Sequence, residues 1–245
     1  MPSVPIAAAA TTTLVSLAFC LSTLERWIDR RRPHELAWTI ALAEFAAASA
    51  AQWWGASVGW GGGAFRAFYL FGPILSVPEL ALGTILLLGS VRVGAAARRA
   101  VHTWALVSTG VLLVAPLTAA IDPSKLPQGS DVFGPLPRIL AAVGSGLGAT
   151  VIIAGAAWSA VRLARRRTTR RLAVANGFIA AGTIVLSVGG IFNSVADEMT
   201  SFALAHALGI TLVFTGFLVT NRSRRTTLAV VPNRVSDTAE QQRTG

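Results

Sequence analysis

The sequence predicts an all-α, polytopic membrane helix bundle of seven transmembrane helices, amino terminus outside and carboxyl terminus in the cytoplasm. Three observations lead there. Hydrophobic residues make up 53% of the 245 residues and charged residues only 13%, where an ordinary soluble domain carries about 25% charged. Seven apolar runs each come near the roughly 20 residues that cross a bilayer. Arginine gathers in alternate connections between those runs, which is the positive-inside pattern.

The first run, residues 5–24, has no basic residue before it, whereas a cleavable signal peptide would begin with one. Arg26, Arg30, Arg31 and Arg32 follow it instead, so it reads as an uncleaved first helix. The second run, 36–55, is entered through Pro33 and closes at Trp53, Trp54 and Gly55; Gly59, Gly61, Gly62 and Gly63 then turn the chain. The third run, 66–89, carries Pro73 and Pro78, and the fourth is 101–120. A longer connection with Asp122, Pro123, Lys125, Pro127, Asp131, Pro135 and Pro137 leads to runs at 139–161, 172–193 and 201–220. Residues 1–220 thus form one transmembrane domain, and the polar composition of 221–245 predicts a disordered cytoplasmic tail.

Charge sets the orientation. The first, third and fifth connections hold four, three and six basic residues and the tail five, while the even connections hold one, two and none. The net charge of +10 therefore belongs to the membrane-facing topology, and nucleic-acid binding is not expected. Trp53, Trp54, Trp60 and Tyr69 gather towards the outer face and Trp27, Trp38, Trp104 and Trp158 towards the inner one, as an aromatic belt would.

Several chemistries are closed off. Lys125 is the single lysine and lies outside every run, so a retinal Schiff base has no attachment point. Cys20 is the single cysteine, which leaves no intrachain disulfide and no cysteine-based metal centre. No metalloprotease, serine-hydrolase or paired-aspartate metal motif occurs, so no enzyme activity, catalytic residue, metal or cofactor is expected. Gly144, Gly146 and Gly148 lack the strand and lysine of a phosphate loop. They mark, with Gly155, a small-residue helix face suited to intrachain packing.

Glu44 and Glu79 carry the most information, because an ionisable side chain inside an apolar run is expensive and marks function. Glu44 lies about 12 Å and Glu79 about 15 Å from the inner ends of their helices at 1.5 Å per residue. Neighbouring antiparallel helices place both on one cavity in one reading; in the other, both are protonated and hydrogen-bond to neighbouring helices. Proline removes a backbone donor, and broken helices at membrane depth line buried or wet cavities. The ligand- or proton-site candidates are therefore Glu44, Glu79, Pro73, Pro78 and Tyr69. His206 reads as a helix–helix hydrogen bonder. Arg138, Asn193, Asp197, Glu198 and His206 are candidates for an outer mouth; for Asp197 and Glu198, capping of the seventh helix is the favoured reading.

The stretches Arg31-Arg32-Pro33-His34-Glu35-Leu36-Ala37-Trp38-Thr39, Phe68-Tyr69-Leu70-Phe71-Gly72-Pro73 and Ser76-Val77-Pro78-Glu79-Leu80-Ala81-Leu82-Gly83-Thr84 resemble a family of uncharacterised bacterial seven-span proteins. Phe133 to Arg138 and Asn193 to Thr200 extend that similarity over nearly the whole membrane domain. The layout is more loosely similar to the seven-helix module at the amino terminus of some sensor histidine kinases, although no kinase domain follows. These resemblances imply a multi-pass protein of a bacterial plasma membrane and assign no residue a role. The expected function is a receptor-like or sensory module that binds a small or lipophilic ligand and engages a membrane or cytoplasmic protein partner. A small proton- or cation-coupled transporter and an accessory subunit of a membrane complex are the alternatives.

Overall fold

The computed structural model describes residues 3–164, 170–196 and 199–229. These form α1 (Ser3–Arg30), α2 (Pro33–Val58), α3 (Gly62–Tyr69), a π-helical segment (Leu70–Ser76), α4 (Val77–Leu88), α5 (Val91–Val114), α6 (Gly129–Val132), α7 (Pro135–Ala164), α8 (Arg170–Ala196) and α9 (Met199–Ala229). Among the described residues there is no named strand; one isolated bridge joins Leu117 to Phe133.

Five helical stretches are long and apolar enough to cross a membrane: Val4–Arg30, Gly62–Leu88, Pro135–Arg162, Leu172–Gly190 and Met199–Val219. The molecule is an all-helical bundle with the character of a multi-pass membrane protein. α2 and α5 are comparably long but more polar. α2 carries Glu35, Glu44 and Gln52, and α5 carries Arg92, Arg98 and Arg99.

Boundaries differ from expectation at α5 and α9. The apolar run at 101–120 predicts a helix over those residues, but α5 begins at Val91, which puts Arg92, Arg98 and Arg99 on its first three turns rather than in a connection, and it stops at Val114, where Ala115 is extended, with ψ 125°. Pro116 follows, and proline pushes the residue before it out of the helical region. Residues 221–229, expected to be disordered, instead continue α9 to Ala229; no glycine or proline interrupts that stretch. Residues 230–245 of the expected tail lie outside the described residues.

The long helices close into a ring. α1 packs on α2, α2 on α3, the π segment and α4, α4 on α7, α7 on α8, α8 on α9, and α9 back on α1, while α5 packs from outside on α4, the π segment and α7. One end, here the basic end, holds the α1–α2 and α4–α5 turns. The other, the loop end, holds the connection from Ala115 to Gly134. That connection folds onto the bundle: the Trp60 amide donates to the Pro123 carbonyl at 2.9 Å, and Leu126, Val132 and Phe133 are buried with Phe65, Ile74 and Leu112.

Glycine sets the closest approaches. Gly144, Gly148 and Gly155 of α7 lie against Pro78 and Trp104, Val77, and Thr84 and Leu88 respectively. The predicted small-residue face is thus used inside the chain. The α8–α9 seam is tighter: a Cβ on Gly182 would stand 2.7 Å from the Gly209 carbonyl oxygen, and one on Gly216 2.5 Å from that of Ala175. Such contacts replace the hydrophobic drive that is missing between helices in lipid.

Candidate functional site

The contact between α2 and the helix running through α3, the π segment and α4 collects most of the buried polar side chains singled out from the sequence. Pro33 opens α2 at its first turn, where its missing N–H costs nothing and its φ already suits a helix. The helix then presents Glu44, Ala48, Gln52 and Gly55 at spacings of four, four and three, which is one face. Opposite it, Ser76, Glu79 and Gly83 share a face of α4 and its entry.

Two contacts fix the register. An added Cβ on Gly72 would lie 3.6 Å from Cβ of Ala48, and one on Gly83 would overlap the Trp38 indole. α2 runs antiparallel to its partner, so the position opposite Glu79 is residue 41 or 42. Glu44 is two or three residues further along, or about 3–5 Å along the axis. Glu79 is 5% exposed. Oε2 of Glu44 is buried without a hydrogen-bond partner among the described residues. The structure therefore brings Glu44 and Glu79 to one interface at one level.

The backbone beside them is irregular for reasons visible in the sequence. Pro73 lies inside the π segment and Pro78 near the start of α4. Each removes the amide that would bond to the carbonyl four residues earlier. For Pro78 that carbonyl is Ile74, and the Trp104 indole of α5 donates to it at 3.2 Å. One borrowed donor thus satisfies part of the broken ladder, as a buried backbone requires, while the Ser76 hydroxyl donates to the Gly72 carbonyl at 2.8 Å within the π segment. π segments within α-helices are frequent at functional sites.

The remaining candidates sit elsewhere. Tyr69 packs on Phe65, Phe133 and Gly129 at the loop end, ten residues from Glu79 and outside the carboxyl level. His206, expected to hydrogen-bond between helices, instead stacks on Phe45 of α2 with ring centroids 5.9 Å apart and meets Phe202 at a tilt with centroids 4.0 Å apart, while its Nδ1 lies 3.0 Å from the Phe202 carbonyl oxygen of its own helix. It thereby joins α9 to the residue next to Glu44. Arg138 is exposed near the start of α7. Asn193 belongs to the last turn of α8, its side chain outside the described residues, and Asp197 and Glu198 lie outside them altogether. Among the described residues no group of three or more His, Cys, Asp or Glu is placed to hold a metal ion.

Sequence reasoning missed three features. At the basic end Arg26 meets Glu35 at 2.9 Å while lying 4.7 Å over the Phe217 ring, which ties α1, α2 and α9 together. Their spacing across a two-residue turn was the available signal, hidden because Arg26 was counted as a topology charge. At the loop end Arg66 donates to the carbonyls of Leu112 (2.5 Å) and Ala115 (2.6 Å), covering orphan acceptors at the end of α5. Trp60, read as a belt residue, is 3% exposed because Gly55 leaves space for its ring; Trp53, Trp54 and Trp158 keep the exposure a belt needs. Gln52, also buried, has an unpartnered Nε2 one turn from Gly55.

No protein-family model, curated protein or solved structure matches this chain.

Proposed function

We propose that this chain is a receptor-like or sensory seven-span module of a bacterial plasma membrane, amino terminus outside, that binds a small cationic ligand between Glu44 and Glu79. In this reading α2 and α5 complete the seven spans. Lipid-facing arginines of α5 reach back to the headgroups along their aliphatic stems, and the basic end is cytoplasmic by the positive-inside rule. Ligand binding shifts the π-distorted helix against α2, and the shift passes through Trp38 and the Arg26–Glu35 pair to a cytoplasmic partner.

One observation carries the proposal. Glu44 holds a buried, unpartnered carboxylate oxygen on the face that meets the helix bearing Glu79. A buried acceptor of this kind costs free energy unless something pairs with it, and a cation between two carboxyls does so. Two carboxyls at one level equally suit a small proton- or cation-coupled transporter, which is the second reading.

The test reconstitutes the purified protein in nanodiscs and measures its thermal midpoint with ammonium, choline, a primary alkylamine and sodium. One of these probes is expected to raise the midpoint of the wild type; a ligand at 100 times its Kd adds about 2.7 kcal/mol. Glu44→Gln and Glu79→Gln are each expected to abolish the shift. No shift with any probe, or equal shifts in both variants, contradicts the site. In vesicles, flux of the same cation that both variants abolish selects the transporter; binding without flux selects the receptor.

A further inference from the structure

A groove on the outside of the bundle, between α5 and α7, is independent of the carboxyl site. It is an open trough of about 420 Å³ lined by Arg99, Ala100, Thr103, Trp104, Val107 and Leu140. Clefts that take small ligands run from roughly 300 to 1,000 Å³. Its walls are set by contacts already described. The Trp104 indole is fixed by its bond to the Ile74 carbonyl and lies against Gly144 of α7.

The chemistry of the groove changes along its length. Arg92, Arg99, Thr103 and Val107 follow at spacings of seven, four and four, so they fall on one face of α5, within about a quarter-turn. That face is cationic at the basic end and apolar further on. Arg99 is exposed and is in no ion pair with a described residue. It stands on the first three turns of α5, just before the apolar stretch that begins at residue 101, the level at which basic residues meet lipid headgroups.

We propose that this groove is a binding site for one anionic glycerophospholipid. The Arg99 guanidinium takes the phosphodiester through paired N–H donors, a geometry that arginine matches and lysine does not. The Thr103 hydroxyl donates beside it, and an acyl chain lies along Trp104, Val107 and Leu140. Charge complementarity selects a phospholipid over a second apolar helix, because a phosphodiester pairs with Arg99 while its acyl chain covers the apolar stretch beyond. Basic pockets between membrane helices recognise anionic headgroups in this way.

Native mass spectrometry of delipidated protein in detergent, titrated separately with phosphatidylglycerol, phosphatidylcholine and inorganic phosphate, tests this. One phosphatidylglycerol is expected to bind about tenfold more tightly than phosphatidylcholine, because of the charge-assisted phosphate contact. Arg99→Gln is expected to erase that preference, and Val107→Trp, at an exposed position that fills the trough, to weaken both lipids. Arg98→Gln, one residue away on another face of the helix, is expected to change neither. Equal binding of the two lipids, an Arg99→Gln variant that binds like the wild type, or equal losses in Arg98→Gln and Arg99→Gln would overturn the proposal. So would competition by inorganic phosphate at the same concentration, or dimerisation that Val107→Trp disrupts.

Discussion

The α8–α9 seam and the contact of α2 with α4 are both antiparallel helix pairs with glycine at the point of closest approach, and they put glycine to opposite uses. In the first, Gly182 and Gly216 bring backbone against the carbonyls of Gly209 and Ala175, and Gly209 takes the Leu186 side chain. The polar side chains Thr183 and Ser187 of α8 bond back to the preceding turn. In the second, Gly55 and Gly83 make room for the indoles of Trp60 and Trp38. There Glu44 keeps a buried carboxyl oxygen without a partner among the described residues, and Gln52 and Trp60 keep such buried nitrogens further along, where α2 turns into α3. One interface is a closed seam. The other carries unmet polar groups beside an irregular helix, and the difference locates the site.

Substitutions can break that comparison. Gly216→Val pushes a side chain into the Ala175 carbonyl, which cannot move without its helix. It is expected to cost about 3 kcal/mol, the upper part of the range for overpacking, as read from the thermal midpoint in detergent. Gly177→Val, where nothing lies within 4 Å, is the control and is expected to change little. A control that falls as far as Gly216→Val would mean that the seam does not depend on contact.

Gly83→Ala is expected to cost less, about 1–2 kcal/mol, since a Trp38 ring can tilt where a backbone cannot. Trp38→Phe should recover part of that loss. A double-mutant cycle with no coupling between the two positions would show that the α2 register is wrong. Trp104→Phe removes the donor to Ile74 and is expected to cost about 1 kcal/mol. Pro78→Ala restores a backbone donor for the same carbonyl, so the cost of Trp104→Phe should shrink in that background. An unchanged cost would detach Trp104 from the proline break.

The smallest effect lies outside both interfaces. The Ser124 hydroxyl and amide donate to Asp122 and hold its carboxyl below the usual aspartate range. A lowered value means that the contribution is present above the unfolded pKa and is lost as pH falls through the folded one. Asp122→Asn should therefore lower the neutral-pH midpoint slightly, leave the midpoint in acid unchanged and so flatten the acid limb. A larger change in acid than at neutral pH would contradict this.

Much of the fold was legible in the sequence because the signals were local. Apolar runs announced the long helices, Pro73 and Pro78 announced the break, and Gly144 and Gly148 announced a close helix contact. Glu44 and Glu79 stood out because each charge interrupts an apolar run. What escaped notice depends on pairs distant in sequence. Nothing near Gly83 names Trp38, and nothing near Arg66 names the carbonyls of Leu112 and Ala115. The connection from Ala115 to Gly134 reads as a loop because proline hides the apolar side chains of Leu126 and Phe133 that fold inward. The early end of α5 was missed because an apolar composition continues past Pro116 while a helix does not.

The register of α2 against the π segment is the claim on which the site rests, and a disulfide measures it directly. In a Cys20→Ser background, Ala48→Cys with Gly72→Cys places two Cβ atoms about 3.6 Å apart, within the range a disulfide bridges. Mild oxidation in native membranes is expected to give a rapid intramolecular bridge in that protein and none in Ala47→Cys with Gly72→Cys. Failure of the first pair to bridge, or equal bridging by the second, would separate Glu44 from Glu79 and contradict the account.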